Sequence, residues 1–192
     1  MKKVLVGILS MGNVRKEVTL SLLNMLNGED YRIEVVFVGA KRVEASRSIL
    51  CKKFMSSTCD YLLMIDEDNP PTRNPLELLK EAKDVLIFPT PIFYPKNGKN
   101  VATWNLERLV DTPITGLEEI KTGGTGCILI KRKVIEQLDK PFDTIVDENG
   151  ITTEGTDIRF CRLAKEKGFT IWTHWSYPCA HFKTINLLDL MY

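Results

Sequence analysis

Tyr61-Leu62-Leu63-Met64-Ile65-Asp66-Glu67-Asp68 runs five apolar residues straight into three carboxylates. The apolar run has strand length and no polar alternation, which predicts a strand buried on both faces, as in a parallel sheet covered by helices. In open α/β sheets ligands bind outside the carboxyl ends of the strands, so acidic groups at this point stand where a site is expected. Three adjacent carboxylates also repel one another, a cost that a divalent cation removes and solvent only screens. The competing reading is a plain acidic turn closed by Asn69-Pro70-Pro71, since strand-end turns favour Asp and Asn. A calcium loop of the EF-hand kind is disfavoured, because its sixth position requires Gly and here is Pro71.

Strand-length apolar runs alternate with helical periods on both sides of this segment. Val4 to Leu9 reads as a first buried strand. Val14, Val18, Leu22, Met25 and Leu26 share one face of a helix that Asn27-Gly28 ends. Ile33 to Val38 is a second strand, and Val43, Leu50 and Phe54 mark a second helix. Pro75 opens a short helix through Ala82, before a strand at Val85 to Phe88. The proline-rich stretch Pro89 to Gly98 predicts an irregular shaped loop, and residues 100 to 121 carry no pattern that assigns them. After the glycines at 123, 124 and 126 come a strand at Cys127 to Ile130, a short helix at Lys133 to Leu138, a helix at Thr156 to Lys167 and a last strand at Phe169 to Trp172. The alternation predicts a single α/β domain over residues 1–192 with a mainly parallel central sheet.

Composition narrows the function. Among 192 residues, 26 Lys+Arg against 25 Asp+Glu leave a net charge of +1, without the basic surplus that nucleic-acid binding requires. The 5 cysteines form no C-x-x-C pair, which points to a reducing, cytoplasmic setting rather than a disulfide framework. No run approaches the roughly 18 to 20 apolar residues of a membrane span. The opening Met1 to Leu9 imitates a signal peptide but is expected to be the first strand.

The Tyr61 to Asp68 segment resembles the Asp-x-Asp segment of GT-A glycosyltransferases, family 2-like. Further segments match in order: Lys41 to Leu50 resembles the helix with a nucleotide-proximal Arg, here Arg47, and Gly123 to Arg132 resembles the glycine loop and the strand after it. Glu154 to Phe169 is similar to the acidic helix start that supplies the base, and Cys179-Ala180-His181 to the late metal-binding histidine. The resemblance implies a Rossmann-like nucleotide-diphospho-sugar fold, with a nucleotide-binding half over 1–100 and an acceptor or catalytic half over 101–192. It implies inverting, metal-dependent transfer of a sugar from a UDP- or GDP-sugar to a hydroxyl of a glycan, protein or lipid. Asp66 would meet the ribose or a metal-bound water, Asp68 and His181 the ion, and Gly124 and Gly126 the donor. The family presents adjacent Glu-Asp where this chain has Thr156-Asp157. Asp157 therefore keeps the base position, with Glu154 as its possible substitute.

A diphosphate leaving group gathers negative charge, which a cation on Asp68 would stabilise. Oxygen ligands suit Mg²⁺ or Mn²⁺, and an imidazole shifts the preference towards Mn²⁺. Each residue also has a plain structural reading. Asp157 could stabilise a helix amino terminus, the glycines could serve turns, and the only other histidine, His174, could replace His181. One rival is a nucleotidyltransferase of similar fold, although Leu9 to Asn13 is poor in the glycine expected after its first strand. Another is a non-catalytic sugar- or nucleotide-binding module, favoured by Thr156. Leu187 to Met191 offers an apolar edge for a partner or a membrane surface.

Overall fold

The computed structural model describes residues 1–96 and 99–183. The chain runs β1 (Lys2–Leu9), α1 (Lys16–Leu26), β2 (Tyr31–Val38), α2 (Val43–Ser56), β3 (Tyr61–Asp66), a 3-10 helix (Pro75–Glu81) and β4 (Val85–Ile87). It continues through β5 (Pro91–Lys96), β6 (Lys99–Trp104), β7 (Leu106–Arg108), β8 (Leu117–Gly123), β9 (Cys127–Lys131), α3 (Arg132–Gln137), β10 (Ile145–Val146), β11 (Thr152–Glu154), α4 (Thr156–Glu166) and β12 (Ile171–His174).

Eight strands form one mixed sheet in the order β2-β1-β3-β9-β4-β12-β8-β7. Six of them point one way and two, β8 and β9, the other, so three of the seven neighbour pairings are parallel and four antiparallel. A mainly parallel sheet is thus right for strand direction and wrong for pairing. The discrepancy has two sources, β9, which slots antiparallel between β3 and β4 in the middle of the sheet, and β8, which runs antiparallel to β12 and β7 near its edge. Residues beyond 100 therefore interleave with residues before it.

Alternate strand residues feed two cores, which is why the strands read as unbroken apolar runs. On one face Val4, Val6 and Ile8 join Leu63 and Ile65 beneath Val18, Leu22 and Met25 of α1. On the other, Leu62 and Met64 pack with Leu50 and Phe54 of α2, Val134 of α3 and Phe160 of α4. A side chain at Gly7 would overlap Leu50, so glycine there lets α2 settle on β1.

Two sequence expectations change. The Pro89 to Gly98 stretch holds β5, which pairs antiparallel with β6 to make a hairpin; proline at Pro91 and Pro95 is tolerated because the hairpin lies outside the main sheet. Residues 100 to 121, unassigned from sequence, supply β6, β7 and β8. No helix among the described residues is long and apolar enough to cross a membrane. All five cysteines are buried free thiols. The apolar tail at Leu187 to Met191 lies outside the described residues.

Candidate active site

Because β9 runs against β3, its first residue Cys127 sits beside Ile65, and the glycine loop arrives at the carboxyl end of β3. The Asp66 amide donates to the Gly126 carbonyl at 2.8 Å, which ties loop and acidic segment together. A Cβ on residue 126 would overlap Asn69 Oδ1 and press on Asp66, so only glycine permits this approach. Asn105 fastens the other end of the loop: its side chain accepts from the Thr90 amide at 2.9 Å and donates to the Gly124 carbonyl at 3.3 Å. These contacts frame a cavity of about 600 Å³, a size typical of small-molecule sites. Arg47, Asp66, Asp68, Asp157 and His181 all line it, together with Gly124 and Gly126. Trp104, Leu106 and Ile158 make an apolar end.

Arg47 is only 4% exposed. Its guanidinium donates to Asp157 Oδ1 at 2.7 Å and to Thr156 Oγ1 at 2.6 Å, and lies 3.4 Å from Asp66 Oδ2. The arginine that the resemblance brings near a nucleotide thus spends its two short contacts on Thr156 and Asp157 at the start of α4. Burial pushes the Asp66 carboxyl up to about 7, with Arg47 opposing and the Asp157 and Asp68 charges adding to the rise. Glu67 accepts from Ser10 Oγ at 2.5 Å and the Met11 amide at 3.0 Å, fixing the turn after β1 instead of entering the cavity.

Glu154 is placed differently from Asp157. It forms a two-pronged ion pair with Arg162 at 2.8 and 2.9 Å and does not line the cavity. Hydrogen bonds from Arg162 hold its carboxyl below the usual range. As an ionised acceptor already satisfied on both oxygens, it is poorly suited to act in place of Asp157.

The two histidines also separate. His174 stacks edge-on against Tyr177, and its Nδ1 accepts from the Ser176 amide at 3.3 Å. His181 lines the cavity, with Nδ1 2.8 Å from the Pro91 carbonyl. A carbonyl only accepts, so Nδ1 carries the proton of that bond, and Nε2 is the nitrogen with the lone pair when the ring is neutral. That nitrogen stands 3.6 Å from Asp68 Oδ2, too far for a direct hydrogen bond. Lys183 also reaches the same oxygen, at 2.9 Å. Asp68 and His181 fit a divalent ion as one hard oxygen and one correctly protonated imidazole. Among the described residues no three His, Cys, Asp or Glu side chains gather to hold an ion by themselves.

The strongest sign of a ligand comes from atoms without partners. Among the described residues, the buried side-chain atoms lacking a hydrogen bond are Arg47 Nε, Asp66 Oδ1, Asn69 Nδ2, Thr122 Oγ1 and Thr173 Oγ1. All but the last belong to residues lining the same cavity. Native interiors rarely leave such groups unsatisfied, and four of these five belong to residues in the wall of one cavity, where a bound polar molecule would draw on them. Sequence reasoning did not single out Asn69, Asn105 or Thr122 as site residues. Asn69 reads as a turn residue and Asn105 falls in the unassigned stretch, so neither carries a local signal.

No protein-family model matches the sequence, and no curated protein sequence matches it. Among solved structures, A197 from STIV aligns with a TM-score of 0.63 at 22% identity, over 96% of this chain and 87% of that one. GalNAc-T7, solved with UDP, GalNAc and Mn²⁺, aligns with a TM-score of 0.62 at 10% identity, over 96% of this chain. The chain shares their fold. It spans 44% of the GalNAc-T7 chain, and at these identities the likeness reaches no further than architecture.

The raised Asp66 carboxyl gives a stability test without ligand. The folded protein keeps a proton to about pH 7 that an unfolded aspartate, near 3.8, has already lost. The stability from this proton is full below about pH 4 and disappears as pH rises through 7. Asp66→Asn, neutral throughout, should gain on the parent over that interval, with a Tm advantage that grows to a few °C by pH 8. Melting curves at pH 5 and pH 8 in chelator check this; an advantage that shrinks as pH rises contradicts it.

Proposed function

We propose that the chain is a GT-A glycosyltransferase that moves a sugar from a nucleoside-diphosphate donor to an acceptor hydroxyl with inversion. The observation that carries this reading is the set of unsatisfied buried groups on Arg47, Asp66, Asn69 and Thr122 around one cavity that also presents Asp68, His181 and Asp157. Donors on Arg47, Asn69 and Thr122 suit phosphate and sugar oxygens, and Asp66 Oδ1 suits a hydroxyl. The shared fold of a glycosyltransferase solved with UDP, GalNAc and Mn²⁺ supports the same reading.

Asp68 and His181 would hold Mn²⁺ or Mg²⁺ as one oxygen and one nitrogen ligand. Bound there, the ion would neutralise the charge that develops on the departing diphosphate. Asp66 orients the donor, while Gly124 and Gly126 let the backbone approach it closely. Asp157, on the cavity wall beside Arg47, takes the proton of the attacking hydroxyl. Glu154 has no part in the reaction.

A thermal-shift panel of UDP, GDP, TDP and CMP, with and without Mn²⁺, tests the reading. One nucleoside diphosphate with Mn²⁺ should raise Tm by about 5 to 10 °C when present at a hundred times its Kd. Absence of any nucleotide shift would remove the functional assignment. A strong shift with no turnover of any donor would favour a binding module of the same fold.

A further inference from the structure

Asp157 shows an asymmetry between its two carboxylate oxygens. Oδ1 accepts from Arg47 at 2.7 Å, from Thr125 Oγ1 at 2.5 Å and from Thr156 Oγ1 at 3.1 Å. Oδ2 has no protein partner among the described residues, and the carboxylate is 37% exposed where it borders the cavity. Thr125 itself is fully buried, the one non-glycine residue of the Gly123 to Gly126 loop, and Arg47 is nearly so. Two buried donors on separate elements, the glycine loop and α2, therefore converge on the start of α4.

From this geometry we infer that Thr125 and Arg47 are positioning residues, which pin Oδ1 so that Oδ2 alone is presented to the attacking hydroxyl. The inference rests on the glycosyltransferase reading and gives two residues of the site new tasks. Arg47 acts on the base as well as lining the donor cavity, and the loop holds the base as well as approaching the donor. In the step itself the hydroxyl oxygen bonds to the anomeric carbon as the bond from that carbon to the diphosphate oxygen breaks. The diphosphate leaves with the electron pair, and the proton passes to Asp157 Oδ2. A carboxylate fixed through one oxygen keeps the other in line with the attacking group. An unpinned one samples rotamers in which neither oxygen is in line, and misplacement by about 1 Å is enough to cost a hundredfold in rate.

Thr125→Val tests this, because it removes the hydroxyl at nearly constant volume inside a packed site. Donor hydrolysis serves as the assay, with water in place of the unknown acceptor, UDP-glucose, UDP-GalNAc and GDP-mannose as donors, and nucleoside diphosphate release as the readout. Thr125→Val should lower kcat by about ten- to a hundredfold, while donor KM and calorimetric UDP or GDP affinity in Mn²⁺ stay within about twofold. Thr125→Ser, which restores the donor, should recover most of the loss. Arg47→Lys should lower kcat too; because Arg47 also lines the donor cavity, the split between kcat and affinity is read on Thr125 alone.

A Thr125→Val kcat within twofold of the parent overturns the inference and leaves the glycosyltransferase reading standing. So does a loss of nucleotide affinity equal to the loss of kcat, which would make Thr125 a support for the loop alone. If the parent binds nucleotide but releases no diphosphate from any donor, the glycosyltransferase reading fails and takes the inference with it.

Discussion

Asp157→Asn should lower turnover by about a hundredfold to ten-thousandfold and leave nucleotide affinity within about twofold, through loss of a general base. The substitution keeps the shape of the side chain and its pinned oxygen, and it removes the basic Oδ2 that faces the cavity. Arg47 then lies buried beside a neutral amide with only the longer 3.4 Å approach to Asp66 as an ionic contact. Some stability is lost with it, because a buried cation without its partner is costly. Rates are therefore measured below the melting range of the variant. Glu154→Gln is the contrast: its carboxylate faces Arg162 outside the cavity, so kcat should fall less than twofold while the surface pair weakens. Were Glu154→Gln the more damaging change, the base would have to be reassigned and the α4 start read as structural. Retained anomeric configuration in the product would equally contradict attack assisted by Asp157.

The residues that sequence places well are those whose chemistry is local. Tyr61 to Asp68 announces both a buried strand and an acidic strand end, and Asp66 closes β3 at the edge of the cavity. The start of α4 at Thr156 and the central strands β1 and β3 follow from apolar period alone. The direction of β9 does not, because Cys127 to Ile130 has the same apolar run whether it pairs parallel or antiparallel. The β5–β6 hairpin was hidden by its prolines, which normally argue against strands. Long-range contacts were the least legible. Nothing near residue 47 in the sequence tells that its guanidinium reaches residue 157, nor that Asn105 braces the glycine loop. Glu154 shows another long-range effect: the resemblance offers it as a substitute for Asp157, and its pairing with Arg162 outside the cavity lining is not legible in the sequence.

Asp68→Ala should abolish the Mn²⁺-dependent part of nucleotide binding and leave the fold intact. Among the described residues its carboxylate contacts Lys183 and the neighbourhood of His181, and pairs at such exposure contribute about 0 to 1 kcal/mol, so the apo Tm should barely move. The thermal shift of the preferred nucleoside diphosphate in Mn²⁺, about 5 to 10 °C in the parent, should fall to the metal-free value. Lys183 makes the result more specific. Its ammonium sits 2.9 Å from the oxygen that a divalent ion would use, so ion and lysine compete for Asp68. Removing the carboxylate frees that ammonium for the diphosphate, and the weak binding that remains should be metal-independent and screened by salt. His181→Ala should reproduce the loss of Mn²⁺ dependence in part, because it removes the imidazole but not the carboxylate. His174→Ala should leave it unchanged, since that ring faces Tyr177. If Asp68→Ala keeps the full Mn²⁺ dependence, or His174→Ala destroys it, the ion is bound elsewhere and Asp68 belongs to an ordinary surface pair with Lys183.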